Sequence, residues 1–282
     1  MGLVSTAADT LRIVAEGSYL APSGARVALA ARVDRAVAGT VLYRPADFNR
    51  APLALDGGAR EGEGEASVEI TPETTAQAGA RLVVDEGVPR VLALNFASAK
   101  NPGGGFLGGA KAQEEDLARC SALYTCQLTQ RAYYDANRAC ASMLYTDHMI
   151  YSPDVPFFRG DRLRLLEEPF ELSVLTAPAP NAGEHLRRHP GDAEALTATL
   201  DARAAKVLAV ARAHGHRALV LGAWGCGVFR NEPSVVAEVF ARHLAGTFAG
   251  AFDRVVFAIY DRKPGAPTLE AFRARFDSSA PR

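Results

Sequence analysis

Residues 91–115 read Val-Leu-Ala-Leu-Asn-Phe-Ala-Ser-Ala-Lys-Asn-Pro-Gly-Gly-Gly-Phe-Leu-Gly-Gly-Ala-Lys-Ala-Gln-Glu-Glu. The opening run Val91–Phe96 is short and apolar, the pattern of a strand. Three consecutive glycines follow, Gly103, Gly104 and Gly105, and without Cβ atoms they bare main-chain N–H groups to anything that lies against them. Asn101, at the start of that loop, is short enough to reach a sugar hydroxyl. Gln113, Glu114 and Glu115 then lead into a helical pattern. A loop that accepts anions, tied to a pair of carboxylates, suits a phosphate-bearing substrate held still while an acid acts on it. On these residues alone a plainer reading stays open: a glycine-rich turn ending at a helix N-terminus, where two acids favour the dipole.

Outward from this stretch the same alternation repeats. Ser67–Ile70, Met149–Tyr151, Phe170–Leu175, Ala218–Leu221 and Val255–Tyr260 read as strands. Between them lie helical patterns near Glu73–Glu86, Glu114–Gln130 and Asp192–Ala213, and one after Pro233 whose stripe is Val236, Val239, Phe240 and Leu244. Strands separated by helices predict a layered α/β sheet, with ligands gathered at the carboxyl ends of the strands. Before residue 67 the text is different. Ser5–Gly17 and residues 28–43 read as helices, around an extended piece at Tyr19–Val27 broken by Pro22 and Gly24. The Gly- and charge-rich residues 55–65 read as a mobile loop. Residues 1–66 are therefore expected as an N-terminal helical layer packed on a core of residues 67–282, the two forming one unit.

A second glycine loop, VLGAWGCGVFRNEP at residues 220–233, also follows a strand and precedes a helix with Pro233 in its first turn. Gly225, Cys226, Gly227 and Val228 offer successive N–H groups ahead of a helix N-terminus, a nest for a diphosphate. Phe229 could wall in a ribose, and Asn231 could cap the helix. The spacing fits a dinucleotide fingerprint only loosely and no acidic ribose ligand follows, so a Rossmann assignment is rejected.

Bulk properties narrow the classes of function. A formal net charge of −1 gives no global field that would recruit nucleic acid, so a polyanion must be held locally. The start lacks the charged and apolar regions of a secretory signal, and no apolar stretch approaches the ~20 residues of a membrane span. Gly2 with Thr6 is only a faint match to a myristoylation site. Four cysteines without a CxxC pair point to reduced thiols in cytoplasm, and the scattered histidines give no zinc spacing, so neither metal nor cofactor is expected.

Asn-Phe-Ala, then the triple glycine, then Gln-Glu-Glu, and late in the chain Gly-Cys-Gly-Val-Phe-Arg-Asn: this order resembles the bacterial-type poly(ADP-ribose) glycohydrolases, a catalytic branch of the macrodomain fold. The resemblance extends over most of the chain, including the N-terminal layer and the segment IYSPDVPFFRGD. It implies a macrodomain-like three-layer mixed β-sheet flanked by helices, with an N-terminal helical extension. The implied reaction is hydrolysis of the ribose–ribose O-glycosidic bond of poly(ADP-ribose), from the chain end, with release of ADP-ribose. Glu115 would be the catalytic acid, Glu114 would fix the ribose at the scissile bond, and Gly225–Phe229 would hold the diphosphate.

Such a bond breaks through an oxocarbenium-like state, so the leaving oxygen needs a proton. Glu115 must then carry that proton at the helix start, against the dipole, helped by burial, by Glu114 and by the substrate's diphosphate. The adenine pocket is not placed by the motifs; Asp154–Phe158, Thr176–Asn181 and Tyr260–Arg262 are candidates. The expected partners are poly(ADP-ribose), ADP-ribose and poly-ADP-ribosylated proteins, with neither DNA nor membrane. Two other readings stay open: an ADP-ribose reader that does not cleave, and a mono-ADP-ribosyl hydrolase. The carboxylate pair argues against the reader, since a diphosphate gains nothing from two anions beside it.

Other residues receive structural expectations. Trp224 is read as a packing anchor beneath the nest and Cys226 as a small loop residue without a base. Tyr133 and Tyr134 are read as core. His214 and His216 are read as cations ending a helix, and residues 185–189 as a solvated turn.

Overall fold

Successive residues of Val91–Phe96 enter two different cores. Leu92 and Leu94 join an apolar cluster with Leu219, Leu221, Val255 and Phe257, while Val91 and Ala93 join another with Ala218, Val220 and Val256. Side chains alternate along a strand, so a sheet whose strands are apolar on both faces has to be covered twice. Helices supply both covers, and the result is three layers.

The computed structural model describes residues 2–50, 53 and 66–277. Its strands are β1 (Ser18–Leu20), β2 (Arg26–Ala28), β3 (Val41–Tyr43), β4 (Ser67–Thr71), β5 (Val91–Phe96), β6 (Met149–Arg159), β7 (Leu165–Ala177), β8 (Ala218–Leu221) and β9 (Arg254–Ala258). The helices are α1 (Leu3–Glu16), α2 (Ala30–Ala38), α3 (Thr75–Ala80), α4 (Gln113–Cys120), α5 (Leu123–Leu128), α6 (Arg131–Ala139), α7 (Ala182–Arg188), α8 (Ala193–Ala213), α9 (Pro233–Ala245) and α10 (Pro267–Phe276).

Seven strands form one mixed sheet in the order β3-β6-β7-β5-β8-β9-β4, while β1 and β2 pair separately. From β7 to β4 the neighbours run parallel; β6 is antiparallel to both β3 and β7. Residues of α8, α9 and α10 fill the core on one face, and residues of α1 to α5 fill the other. Five strands that share a direction end at the same edge of the sheet. The loops after β5, β7, β8 and β9 therefore converge there, which is where an open α/β sheet places its ligand.

Several expectations need correction. Residues 28–43 are not one helix: α2 stops at Ala38, and Val41–Tyr43 joins the edge of the sheet, pairing with Met149–Tyr151. The helix expected over 114–130 is broken at Ser121, which is extended (φ −145°). Ser121 bridges to Phe157, Ala122 N donates to Pro156 O, and Ser121 Oγ donates to Leu117 O at 2.7 Å. Tertiary pairing with β6 therefore overrides the helical period. The strand read at Met149–Tyr151 runs on to Arg159, through a bulge at Asp154 (φ +45°). Pro153 and Pro156 hide that continuation, because proline reads as a strand breaker except at bulges and edges. Residues 185–189 are not a turn but the last turn of α7 and its cap, with His185 buried and its Nε2 2.9 Å from Asp192. The loop expected at 55–65 lies outside the described residues. Among the described residues, no helix is long and apolar enough to cross a membrane.

Candidate active site

The first turn of α4 carries the two carboxylates, and both are buried: Glu114 is 2% exposed and Glu115 9%. Gln113 sets their direction. Its Oε1 accepts from Phe96 N at 2.8 Å, and its Nε2 donates to Leu94 O at 2.8 Å and to Thr75 Oγ1 at 3.0 Å. One amide thus clips the helix start to the end of β5. The Gln113 amide is thereby committed to the scaffold.

Glu114 is enclosed by donors. Its Oε2 accepts from Ser98 N at 2.6 Å, and its Oε1 accepts from Asn95 Nδ2 at 3.1 Å and Gln127 Nε2 at 2.9 Å. Burial is the largest influence and pushes its carboxyl up to about 7. The three donors pull it back, and the neighbouring Glu115 raises it further. Glu115 turns to the glycine run, where its Oε1 accepts from Gly105 N at 2.9 Å.

The run itself is shaped by these contacts. Gly104 has φ +58°, and a Cβ there would overlap Glu115 Oε1 and lie 3.2 Å from Glu114 Oε2. Gly103 N donates to Gln127 Oε1 at 2.8 Å. Asn101 is exposed at the outer turn, where its carbonyl accepts from Gly104 N at 3.0 Å. From below, Arg119 is buried and donates to the carbonyls of Glu115, Phe106 and Ala110. Thr10 of α1 donates to Arg119 O at 2.7 Å, so the N-terminal helix braces the same turn.

The second loop adjoins the first. A Cβ on Gly222 would stand 2.9 Å from the Phe96 ring. Gly225 has φ +75°, and a Cβ there would overlap Ala179 and the Asn231 amide. Asn231 does not cap α9, whose N-cap is Glu232; instead its buried Nδ2 donates to Pro180 O at 2.9 Å and Gly225 O at 3.3 Å. It braces the loops after β7 and β8 against each other. Gly227 has open space where a side chain would be, and Val228 is 81% exposed. Phe229 is half-buried with its ring 5.9 Å from Tyr145. Trp224 lies beneath, fully buried, donating to Ala177 O at 3.2 Å. Burial pushes the Cys226 thiol up to about 12, away from any nucleophilic role.

The remaining expectations divide. Thr176–Asn181 spans the end of β7 and the loop after it, and Tyr260–Arg262 follows β9, both at the ligand edge, with Tyr260 58% exposed and the Arg262 guanidinium 5.8 Å from its ring. Asp154–Phe158 does not belong with them. It pairs with Phe170–Leu172, towards the far end of β7, and Phe157 and Phe158 are core. Tyr133 and Tyr134 are core as expected. His214 and His216 are not cations: burial holds both below the usual imidazole range, His214 at about 4.

Two residues that matter here, Ser98 and Gln127, are not singled out in the sequence, and Asn95 and Thr176 enter it only as part of a motif and of a candidate loop. Gln127 carried a signal, being a polar residue beside Leu123 and Cys126 on the buried face of its helix.

The profile of the microbial-type PARG (poly(ADP-ribose) glycohydrolase) catalytic domain matches residues 7–160. Among solved structures, the chain is similar to poly(ADP-ribose) glycohydrolase from Thermomonospora curvata, at 50% identity and a TM-score of 0.90 over 97% of this chain and 99% of that one. The form of that protein bound to the inhibitor ADP-HPD gives 49% identity and a TM-score of 0.88 over the same shares. The Deinococcus radiodurans glycohydrolase in complex with ADP-ribose gives 47% identity and a TM-score of 0.82, over 90% of this chain and 100% of that one. No curated protein sequence matches the chain.

Proposed function

The chain belongs to the microbial-type poly(ADP-ribose) glycohydrolases, and from that premise we propose which of its residues do the chemistry. It is a glycoside hydrolase acting on the ribose–ribose bond of poly(ADP-ribose). The terminal ribose lies between the glycine run Gly103–Gly105 and Phe229, with its diphosphate on the N–H groups of Gly225–Phe229 and a hydroxyl within reach of Asn101. Glu115 gives its proton to the leaving oxygen as the C–O bond breaks. Glu114 holds the ribose so that this proton and the scissile oxygen meet. The substrate's own diphosphate opposes the charge that develops on the sugar. Water then adds to the anomeric carbon, and the Glu115 carboxylate takes the water's proton, which restores the acid.

A single observation carries this reading. Glu115 Oε1 accepts from the N–H of Gly105 while Glu114 is fixed by three donors behind it. The pair is thereby rigid and set directly against the loop that would hold the sugar. A reader of ADP-ribose has no use for two carboxylates built in at this cost. The finer parts of the reading are cleavage from the chain end, delivery of the polymer on modified proteins, and a cytoplasmic setting without DNA or membrane partners. Residues 1–66 and 67–282 are taken as one unit, since β3 lies in the sheet of the core and α1 braces α4.

The test is to incubate the enzyme with end-labelled polymer and with mono-ADP-ribosylated protein. ADP-ribose as the sole early product from polymer, with the mono-modified protein untouched, is expected. Short oligomers appearing first would overturn end-cleavage, and release from the mono-modified protein would overturn the substrate assignment.

A further inference from the structure

Gln127 is fully buried, yet it belongs to α5 and not to the helix that carries the acids. The break at Ser121 sends α5 off on its own axis and brings this amide behind the site. Its Oε1 accepts from Gly103 N at 2.8 Å, and its Nε2 donates to Glu114 Oε1 at 2.9 Å and to Thr176 Oγ1 at 3.3 Å. The amide therefore has one end on the first glycine of the run and the other on the ribose-holding carboxylate.

Gly105 N on Glu115 Oε1 is a second tie between the run and the pair, and the close approach of Gly104 to both carboxylates lies between the two. Without the Gln127 tie, the run would be held to the pair at its far end only. Asn95 cannot replace it, because Asn95 Nδ2 donates to Glu114 and Thr176 and not to the loop. The amide also matters for charge: it is a neutral donor to a buried carboxylate, so it favours the ionised form of Glu114 without adding a cation.

We propose that Gln127 is a positioning residue that locks the triple-glycine loop to Glu114, so that sugar-binding backbone and ribose-holding carboxylate keep one fixed geometry. This rests on the reading of Glu114 and Glu115 given above. Gln127 touches no substrate; it acts through Glu114 and Gly103.

The experiment compares Q127L, Q127E and E115Q on polymer, with product affinity and a pH–rate profile for each. Q127L removes both hydrogen bonds at similar volume. It is expected to lower kcat by about 10²-fold, the scale of a slight misplacement, while KM and the Kd for ADP-ribose stay within about threefold. Its pH–rate profile is expected to move upward, because Glu114 has lost a donor to its anion. Q127E keeps an acceptor for Gly103 N and can donate to Glu114 only while it holds a proton. Its activity, as a fraction of wild type at the same pH, is expected to return as the pH is lowered from about 8 to about 6, where that of Q127L stays low.

If Q127L does not fold, the pH rescue of Q127E still decides. The proposal is overturned by a Q127L enzyme with kcat within about twofold of wild type, or by variants losing kcat and affinity together with no displacement of the pH profile, as a merely structural role would give. Failure of the underlying reading looks different: E115Q would then stay active, whatever Gln127 does.

Discussion

Gly104 and Glu115 share one volume. A β-carbon on Gly104 would overlap Glu115 Oε1, and the backbone there already stands at φ +58°. The loop can lie flat on the carboxylate pair only while position 104 has no side chain. The G104A variant is therefore expected to push Glu115 off its place and to cost roughly 1–3 kcal/mol of stability through backbone strain. Turnover should fall by about 10²-fold or more in enzyme that still folds. Kinetics beside a thermal melt will check this, and near-normal turnover would mean that loop and acid are not coupled.

The two carboxylates should respond differently to amide substitution. E115Q leaves a neutral group against Gly105 N but removes the transferable proton, so turnover should drop by roughly 10²–10⁴-fold with ADP-ribose affinity nearly intact. E114Q disturbs geometry instead. All three partners of Glu114 are donors, so an amide nitrogen must face Ser98 N or the Asn95 and Gln127 amides. The mismatch should lower the rate severely through misplacement of the ribose. Calorimetry with ADP-ribose separates the two: affinity held in E115Q, weakened in E114Q. An unchanged rate for E114Q would make Glu114 an ordinary helix-end acid.

The same ring of donors gives a pH dependence. Burial raises the Glu114 carboxyl to about 7, and the proton it takes on below that pH has no acceptor among its three partners. In the free enzyme kcat/KM should accordingly fall as pH drops through about 7, on a limb assigned to ionised Glu114. For stability the sign is opposite. A carboxyl whose folded pKa lies above its unfolded 4.5 binds the proton more tightly when folded, so its contribution is present at low pH and is lost as pH rises towards 7. A kcat/KM profile flat between about pH 5 and about pH 8 would remove Glu114 from this role.

How much of this was legible in the chain depends on which forces fix each part. Motifs local in sequence were readable: the strand, the triple glycine and the acids of 91–115, and the nest of 222–229, each keep their chemistry within one loop. What stayed hidden depends on partners far away. Ser121 leaves the helix because Phe157 and Pro156 of β6 claim its backbone. Gln127 is a site residue only through that break. Asn231 looks like a helix cap, yet Pro180 and Gly225 take its amide. Gln113 and Asn95 look alike as polar residues at strand and helix ends, and only three-dimensional neighbours tell the clip from the carboxylate donor.

Phe229 closes the second loop, leaning on Tyr145 at 5.9 Å while remaining half-buried. Its carbonyl accepts from Gly183 N at 2.9 Å, so the backbone is held whatever the side chain does. Truncation in F229A should therefore leave the nest in place and remove only ring surface. A loss of roughly 1–3 kcal/mol in ADP-ribose binding is expected if the ring packs on the ribose. Unchanged affinity with a lowered melting temperature would place the ring in the core alone.

Far from the carboxylates, His214 stacks on Tyr151 with ring centroids 3.6 Å apart, and its Nε2 lies 2.7 Å from Tyr43 Oη. Burial first, then His216 and Arg90, hold its imidazole at about 4, below the ordinary 6.5. The folded state thus binds this proton less readily than the unfolded state. The stability it contributes is complete above about pH 6.5 and is lost as pH falls towards 4. H214F can still stack on Tyr151 but takes up no proton, and loses the Tyr43 bond at a cost of about 1 kcal/mol. At pH ~7 the variant should be the less stable protein, and the gap should narrow towards pH ~4.5 because only the wild type pays to keep a neutral imidazole. Urea unfolding at the two pH values measures that gap. A gap of equal size at both would mean that His214 titrates alike folded and unfolded, and that Tyr151 and Tyr43 hold it by packing alone.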